Sequence, residues 1–322
     1  MAVGGRPRLV ALRALGLGDM LTAVPALRGL ARAYPDHEPL LAAPEPLAPL
    51  ARQAGWTVVP TGELEPLPEA LHGAEIAANL HGRGPESHTL LAAARPRRAI
   101  WFEHPDVPAS RGAPAWSDEE HEVERWCRLL HEHGIGADPG DLALEPPPGP
   151  PPDGVRGATL VHPGAASAAR RWPVERFAAV ARSEAAAGRR VVVSGSYAER
   201  QLAQEVAALA GLPASVVIAG ATDLAGLARV VAIAGRVVCG DTGVAHLASA
   251  LGTPSVVLFG PTAPSRWGPP AGDPRHTALW AGRGGDPHAQ RPDAGLLEIT
   301  VSDVLDALEG LDERAPAPAV AC

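Results

Sequence analysis

The sequence predicts an α/β protein with two doubly wound domains that face each other across a cleft. In both halves, short runs of Val, Leu and Ala alternate with segments of helical periodicity, which is typical of parallel strands joined by helical crossovers. A proline-rich run, EPPPGPPPDG at 145–154, divides the 322 residues almost equally and is typical of a stiff linker. We therefore expect one domain at 1–148 and a second at 149–322.

The first half opens with a strand and a helix that are joined by a glycine turn. The elements predicted there are a strand at 9–12, a turn at 16–18, a helix at 19–34 and a strand at 74–80. Asp19 is placed to be the N-cap of the helix. Pro25 predicts either a kink or the true start of that helix, because proline cannot donate a backbone hydrogen bond.

The second half has a clearer alternation of strands and helices. The predicted strands are 158–162, 190–194, 215–218, 236–239 and 255–259, and the predicted helices are 174–187, 198–210, 224–234 and 244–251. The order of the strands in the sheet does not follow from the sequence. Ligands of such folds bind at the carboxyl ends of the strands, so the loops that follow the strands are candidate binding sites.

Composition and charge exclude several classes of protein. The net charge of −8 and the pI of about 5.8 argue against nucleic-acid binding, which needs a basic surface. Cys127, Cys239 and Cys322 are too far apart to indicate a disulfide framework or a zinc site. His131 and His133 point in different directions on a predicted helix, so no metal site is expected. With no long apolar run, we expect a soluble, cytoplasmic protein. We also expect a monomer with at most peripheral membrane contact.

The loop after the first strand carries a candidate acid–base residue. Two glycines allow a tight turn immediately before Asp19. This aspartate is either a plain helix cap or a general base whose carboxylate the helix dipole keeps ionised. The loop is not a dinucleotide-binding fingerprint, because Leu21 stands where the third glycine would be.

Three loops of the second half carry residues that suit an anionic ligand. Arg170 ends a loop of small residues and is either a solvated arginine or a bidentate phosphate ligand. Glu199 follows the next strand, where it is either an acid favoured in a first helical turn or a ligand for ribose hydroxyls. Asp241 and Thr242, with the free N–H groups at the start of a helix, form an anion site, and His246 lies one turn further on.

Taken together, these loops resemble glycosyltransferase family 9, the ADP-heptose:lipopolysaccharide heptosyltransferase family. The motifs that carry the resemblance are GLGDMLTAVPAL at 16–27, RRWP at 170–173 and CGDTGVAHLASALGTPSVVLFGPT at 239–262, with HEVERW at 121–126 as a weaker match. The resemblance runs from Leu9 to Trp267. It implies a GT-B fold of two Rossmann-like domains, in which the N-terminal domain binds the acceptor and the C-terminal domain binds the sugar nucleotide.

The resemblance also implies roles for individual residues. Asp19 matches the aspartate that is expected to deprotonate the acceptor hydroxyl. Arg170 stands where the family commonly has the Lys of K-x-W-P, and this departure keeps the charge but changes the geometry toward the donor diphosphate. The other implied donor contacts are Glu199 at the ribose and Asp241, Thr242, Gly243 and His246 around the diphosphate. The residues expected near the acceptor are Gly18, His81 and Arg83.

The function implied by the resemblance is sugar transfer in lipopolysaccharide or other cell-surface glycan synthesis. The reaction would be an inverting, metal-independent transfer of a heptose or similar sugar from an ADP-sugar to a hydroxyl of a glycan or small molecule, without a cofactor. Two alternatives remain, a non-catalytic sugar-nucleotide-binding protein and a sugar-nucleotide 2-epimerase of the same architecture. The epimerase would need further acid–base residues in the C-terminal half. Asp19 argues against the binding protein, because it has little use in holding the donor.

Overall fold

The computed structural model describes residues 5–314, which form two compact α/β units. The units meet in sequence at Pro147–Pro148, within the proline-rich segment. Cys322 lies outside the described residues, and Cys127 and Cys239 are buried free thiols. Within the described part of the chain, no helix has the length and apolar character needed to span a membrane.

The N-terminal unit has a five-stranded parallel sheet with the strand order β3-β2-β1-β4-β5. Its strands are β1 (Arg8–Leu12), β2 (Glu38–Ala43), β3 (Thr57–Pro60), β4 (Ile76–Asn79) and β5 (Arg98–Ile100). Its α-helices are α1 (Leu17–Thr22), α2 (Val24–Ala33), α3 (Ala48–Gln53), α4 (Glu86–Ala93) and α5 (Glu122–Glu132). The direction of winding reverses between β1 and β4, so a crevice opens at the carboxyl ends of these two strands.

The C-terminal unit has a second five-stranded parallel sheet, with the order β10-β9-β8-β6-β7. Its strands are β6 (Thr159–His162), β7 (Val191–Val193), β8 (Arg236–Gly240), β9 (Ser255–Phe259) and β10 (His276–Trp280). Its α-helices are α6 (Val174–Ala186), α7 (Arg200–Ala210), α8 (Leu224–Ile233), α9 (Gly243–Leu251), α10 (Pro264–Trp267), α11 (Ala294–Glu298) and α12 (Val301–Arg314). Here the winding reverses between β6 and β8.

Apolar strands covered on both faces make the core of the C-terminal unit. All residues of β8 and β9 are buried, as a parallel sheet between two helical layers requires. Trp172 packs edge-to-face on Phe177 with ring centroids 5.1 Å apart, and its indole N–H donates to the Ile299 carbonyl at 3.1 Å. The tryptophan of the RRWP motif therefore fixes the loop that carries Arg170 to the rest of the unit.

The helix predicted at 19–34 is in fact two helices, α1 and α2. The N-cap of α1 is Gly16, so the prediction that Asp19 caps the helix is wrong, and Asp19 lies in the first turn instead. Pro25 is the second residue of α2, where a backbone N–H has no partner within the helix. The break therefore lies just before the proline, as expected for a proline that marks a helix start.

The strand predicted at 215–218 is wrong, and four strands of the described structure were not predicted. The segment Ala214–Val216 is a 3₁₀ helix, and only a single bridge joins Val217 to Val193 of β7. The strands β2, β3, β5 and β10 are missing from the prediction. They include residues that are unusual in strands, such as Pro39 and Pro60, and most of β3 and β10 is partly exposed.

Gly29 in the middle of α2 provides a test of the packing against the segment after α5. Alanine normally favours a helix over glycine by about 1 kcal/mol. Here a Cβ would lie 2.7 Å from the Gly136 carbonyl oxygen and 3.0 Å from the Cβ of Ala137. We expect Gly29→Ala to lower the free energy of unfolding by about 1–3 kcal/mol, as overpacking does. Thermal melting followed by circular dichroism measures this, and a raised melting temperature would contradict the packing.

Candidate active site

The crevice of the N-terminal unit is organised by a buried arginine. Arg13 directly follows β1, and its side chain is 1% exposed. Its Nε donates to the Asp19 carbonyl at 2.9 Å, and its Nη1 donates to the Leu80 carbonyl just beyond β4. Arg13 thus joins the loops that follow the two strands on either side of the winding reversal. Thr22 of α1 accepts a further bond from Nη2 at 3.2 Å.

The Asp19 carboxylate is held on one side and open on the other. Its Oδ1 accepts from Nη2 of Arg13 at 3.4 Å, and no described residue donates to Oδ2. The side chain is 31% exposed, so solvent and a bound hydroxyl can reach it. A carboxylate with one fixed and one open oxygen has the geometry of a general base.

The three residues predicted to contact an acceptor differ in their surroundings. Gly18 lies beside Asp19 in the first turn of α1. His81 follows β4, and burial, together with the Arg13 charge, lowers its pKa to about 4, so the imidazole is neutral at pH 7. The buried Nδ1 of His81 has no hydrogen-bond partner among the described residues. Arg83 is exposed and lies 3.9 Å from the Asp118 carboxylate, and no described contact joins it to Asp19.

The crevice of the C-terminal unit is bridged by Arg170 and Asp241. These residues follow β6 and β8, the strands between which the winding reverses. Nη1 of Arg170 donates to the Asp241 carbonyl at 3.3 Å and lies 3.8 Å from its Oδ2. The Nε of Arg170 is buried and has no partner among the described residues. Gly240 permits this approach, because a Cβ there would lie 2.9 Å from the Arg170 carbonyl oxygen.

Asp241 is a buried acid whose pKa is raised. Burial raises its pKa to about 6, although the charge and hydrogen bond of Arg170 lower it. A raised pKa in a crevice that also holds an incompletely paired guanidinium is typical of a functional site rather than of a stabilising ion pair.

The start of α9 lies directly beyond Asp241. Thr242 is its N-cap and accepts from the Val244 N–H at 3.3 Å. Gly243 is the first residue of this helix, and the backbone N–H groups at a helix start suit an anion. His246 lies one turn further along and packs edge-to-face on Trp267 at a centroid distance of 5.7 Å.

Glu199 ends the loop after β7. Its Oε2 accepts from both the backbone N–H and the hydroxyl of Ser196 at 2.8 Å. Burial raises the pKa of this carboxyl, but the Ser196 hydrogen bonds, together with the electrostatic effects of His162 and Arg171, outweigh it, so the pKa lies below its ordinary value. A Cβ on Gly164 would overlap the Glu199 carboxylate, so a larger residue there would force this carboxylate to move.

Arg13 is the site residue that the sequence reasoning missed. A signal was present, because an arginine directly follows the apolar run LVAL and precedes the Gly16–Asp19 turn. A charge at the end of a buried strand needs a partner. The acceptors that pair with Arg13 come from segments that are distant in sequence, such as Leu80.

The chain matches a protein-family model. The model described as glycosyltransferase family 9 (heptosyltransferase) matches residues 109–294, more than half of the chain. The chain belongs to glycosyltransferase family 9. The stretch matched by this family model contains Arg170, Glu199 and the start of α9, and Asp19 lies outside it.

Two heptosyltransferases match this chain, one in sequence and one in fold. Lipopolysaccharide heptosyltransferase 2 of Salmonella typhimurium is 32% identical over 150 residues, which cover 44% of this chain and 43% of that relative. The match thus spans less than half the length of the curated relative. The structure of Escherichia coli ADP-heptose lipopolysaccharide heptosyltransferase II has a TM-score of 0.73 at 22% identity, covering 96% of this chain and 100% of that chain.

A further family 9 structure supports the same architecture. The glycosyltransferase of Veillonella parvula has a TM-score of 0.77 at 19% identity, covering 98% of this chain and 100% of that chain. Similarity at this identity concerns the fold alone. The two parallel-sheet units, each Rossmann-like, therefore form the GT-B fold that the sequence predicts.

The raised pKa of Asp241 predicts a pH-dependent cost in stability. The folded protein holds this proton more tightly than the unfolded chain, so stability is lost as pH rises from about 4 through about 6. The difference of about two pKa units corresponds to about 3 kcal/mol. The free energy of unfolding of Asp241→Asn, taken relative to that of wild type, is therefore expected to increase by up to about 3 kcal/mol from pH 4 to pH 7.5.

Urea denaturation followed by tryptophan fluorescence at the two pH values measures this gain. The exposed Asp153→Asn is the matched control within the same unit. An effect of Asp241→Asn that is equal at both pH values would contradict the assigned pKa.

Proposed function

We propose that this protein transfers a heptose or similar sugar from an ADP-sugar to a hydroxyl of a lipopolysaccharide or related glycan acceptor. The observation that carries the proposal is the Arg170–Asp241 pair at the winding reversal of the C-terminal sheet, with the buried Nε of Arg170 unpartnered. The names of the relatives add support, because the Salmonella typhimurium protein is a lipopolysaccharide heptosyltransferase and the Escherichia coli structure is of an ADP-heptose enzyme.

The donor site would use the charges and N–H groups of the C-terminal crevice. Arg170 and the first turn of α9, with Thr242 and Gly243, would bind the diphosphate, and His246 would border it. Glu199 would accept hydrogen bonds from the ribose hydroxyls, since its carboxylate stays ionised. As the glycosidic bond to ADP breaks, negative charge develops on the diphosphate, and a preorganised guanidinium and helix start would stabilise it.

The acceptor would be activated by Asp19. Its open Oδ2 would take the proton from the attacking hydroxyl, while Gly18, His81 and Arg83 would contact the acceptor. Attack on the anomeric carbon from the face opposite the diphosphate inverts the configuration at that carbon. A displacement of this kind requires one base and one stabilised leaving group.

The reaction as proposed uses no metal ion. The cation that would balance the leaving diphosphate is Arg170, assisted by the partial positive charge at the start of α9. The monomeric state and the cytoplasmic location expected from the sequence stay predictions.

Nucleotide binding tests the donor site. Calorimetric titration with ADP, UDP and GDP in the presence of EDTA is expected to show selective ADP binding. Arg170→Ala should weaken that binding by about 10- to 100-fold, because a charge-assisted contact to phosphate is lost. Arg182→Ala removes the same charge at an exposed position of α6 and should leave ADP binding unchanged. Preference for UDP, or a strict need for divalent metal, would contradict the proposal.

Replacement of Asp19 tests the catalytic assignment. We expect Asp19→Asn to lower turnover by about 10²- to 10⁴-fold, the usual contribution of a general base, and to leave ADP binding intact. Turnover is measured as ADP release from ADP-heptose with heptose-deficient lipopolysaccharide as acceptor. The control is Asp36→Asn, which alters an exposed aspartate of the same unit.

Two outcomes of this assay would contradict the proposal. Full turnover by Asp19→Asn would remove the base from the mechanism. A wild-type protein that binds ADP but releases none from ADP-heptose would favour the non-catalytic binding protein.

A further inference from the structure

A buried charge cluster lies behind Asp19 in the N-terminal unit. It consists of Asp19, Arg13, Glu122 and Arg125, and is called the Arg13 cluster below. The side chains of Arg13, Glu122 and Arg125 are 1%, 6% and 6% exposed, and that of Asp19 is 31% exposed. Burial of charge is unfavourable unless each charge is paired. Two guanidiniums and two carboxylates balance here, and Asp19 is the member that solvent reaches most.

Glu122, at the start of α5, holds Arg13 from the side away from Asp19. Its Oε1 accepts from Nη2 of Arg13 at 2.9 Å and from the indole N–H of Trp126 at 3.0 Å. Its Oε2 accepts from Nη1 of Arg125. Both carboxylate oxygens are therefore used, and neither Glu122 nor Arg13 can turn without breaking a buried ion pair.

Two tryptophans fix the planes of the guanidiniums. Arg13 lies over the ring of Trp126 at 4.8 Å, and Arg125 lies over the ring of Trp116 at 4.4 Å. The two rings also pack against each other edge-to-face, with centroids 6.0 Å apart. Cation–π contacts of this kind orient a planar guanidinium as well as stabilising its charge.

Arg13 also donates to three acceptors on α1 and to one just beyond β4. Its Nε binds the Asp19 carbonyl, its Nη2, which also binds Glu122, reaches the Asp19 Oδ1 and the Thr22 hydroxyl, and its Nη1 binds the Leu80 carbonyl. The backbone and the carboxylate of Asp19 are thus held by one rigid group, and Oδ2 is left without a donor among the described residues. An apolar side chain could fill the same volume, but it could not fix the direction of a carboxylate.

We infer that Arg13 is a positioning residue that fixes the Asp19 carboxylate for proton transfer, and that Glu122 and Arg125 fix Arg13 in turn. The inference rests on the proposed function of Asp19. It gives the segment 121–126 a role in orienting the base, although this segment is distant from Asp19 in sequence.

Arg13→Lys tests this inference, because lysine keeps the charge but has neither the planar fork nor the reach to all of these acceptors. We expect kcat for ADP release from ADP-heptose, with heptose-deficient lipopolysaccharide, to fall between about tenfold and 100-fold, as for a misplaced catalytic group. The Kd for ADP should stay within about twofold, because the donor site lies in the other unit. Arg128→Lys is the matched control, since Arg128 is also on α5 and is paired with Glu120 and Glu132.

A double-mutant cycle separates positioning from a purely structural role. If Arg13 acts through Asp19, Arg13→Lys should have little further effect on the residual rate of Asp19→Asn. Single-turnover assays with radiolabelled ADP-heptose reach rates low enough for this comparison. An equal loss in both backgrounds, or a kcat for Arg13→Lys within about twofold of wild type, would overturn the inference.

A second variant keeps the inference testable if Arg13→Lys fails to fold. Glu122→Gln preserves the shape of the side chain but removes the charge that holds Arg13, and it should lower kcat in the same direction with unchanged ADP affinity. Wild-type kcat for a folded Glu122→Gln would overturn the role of Glu122 in holding Arg13. Full turnover by Asp19→Asn would instead overturn the proposed function itself, so the two failures are distinct.

Discussion

The reversal of winding in each parallel sheet is the constraint on which both candidate sites depend. Neighbouring strands whose helices pack on opposite faces leave a crevice at their carboxyl ends. In the N-terminal unit the crevice lies between β1 and β4, and Arg13 spans it. In the C-terminal unit it lies between β6 and β8, where Arg170 reaches Asp241. Each reversal thus brings together two loops that are distant in sequence, and an arginine connects them.

The two arginines differ in how completely they are paired, and this difference is consistent with the two roles proposed for them. Arg13 is buried, with each nitrogen of its guanidinium bound to a described acceptor. Arg170 is partly exposed, and its Nε lacks a partner. A fully paired buried guanidinium holds its neighbours in place. An incompletely paired one beside a helix start is suited to an incoming anion.

Charge burial in the C-terminal crevice also has a thermodynamic consequence. Burial raises the pKa of Asp241 to about 6, so its ionised form destabilises the unit near neutral pH. Sites that retain such groups give up stability for chemistry. Two glycines also line this crevice. A Cβ at Gly164 would collide with the Glu199 side chain, and a Cβ at Gly240 would collide with the Arg170 backbone.

The amino-acid sequence by itself determined the α/β class, the central strands and the loops that carry Asp19, Arg170, Glu199 and Asp241, because these features depend on local periodicity and on short motifs. It did not determine edge strands such as β10, whose half-exposed residues lack a clear pattern, or the N-cap at Gly16. Only the tertiary structure decided the strand order, and with it the contacts of Arg13. Those contacts join segments such as Thr22, Leu80 and Glu122, and pairings over such separations leave no periodic signal in the chain.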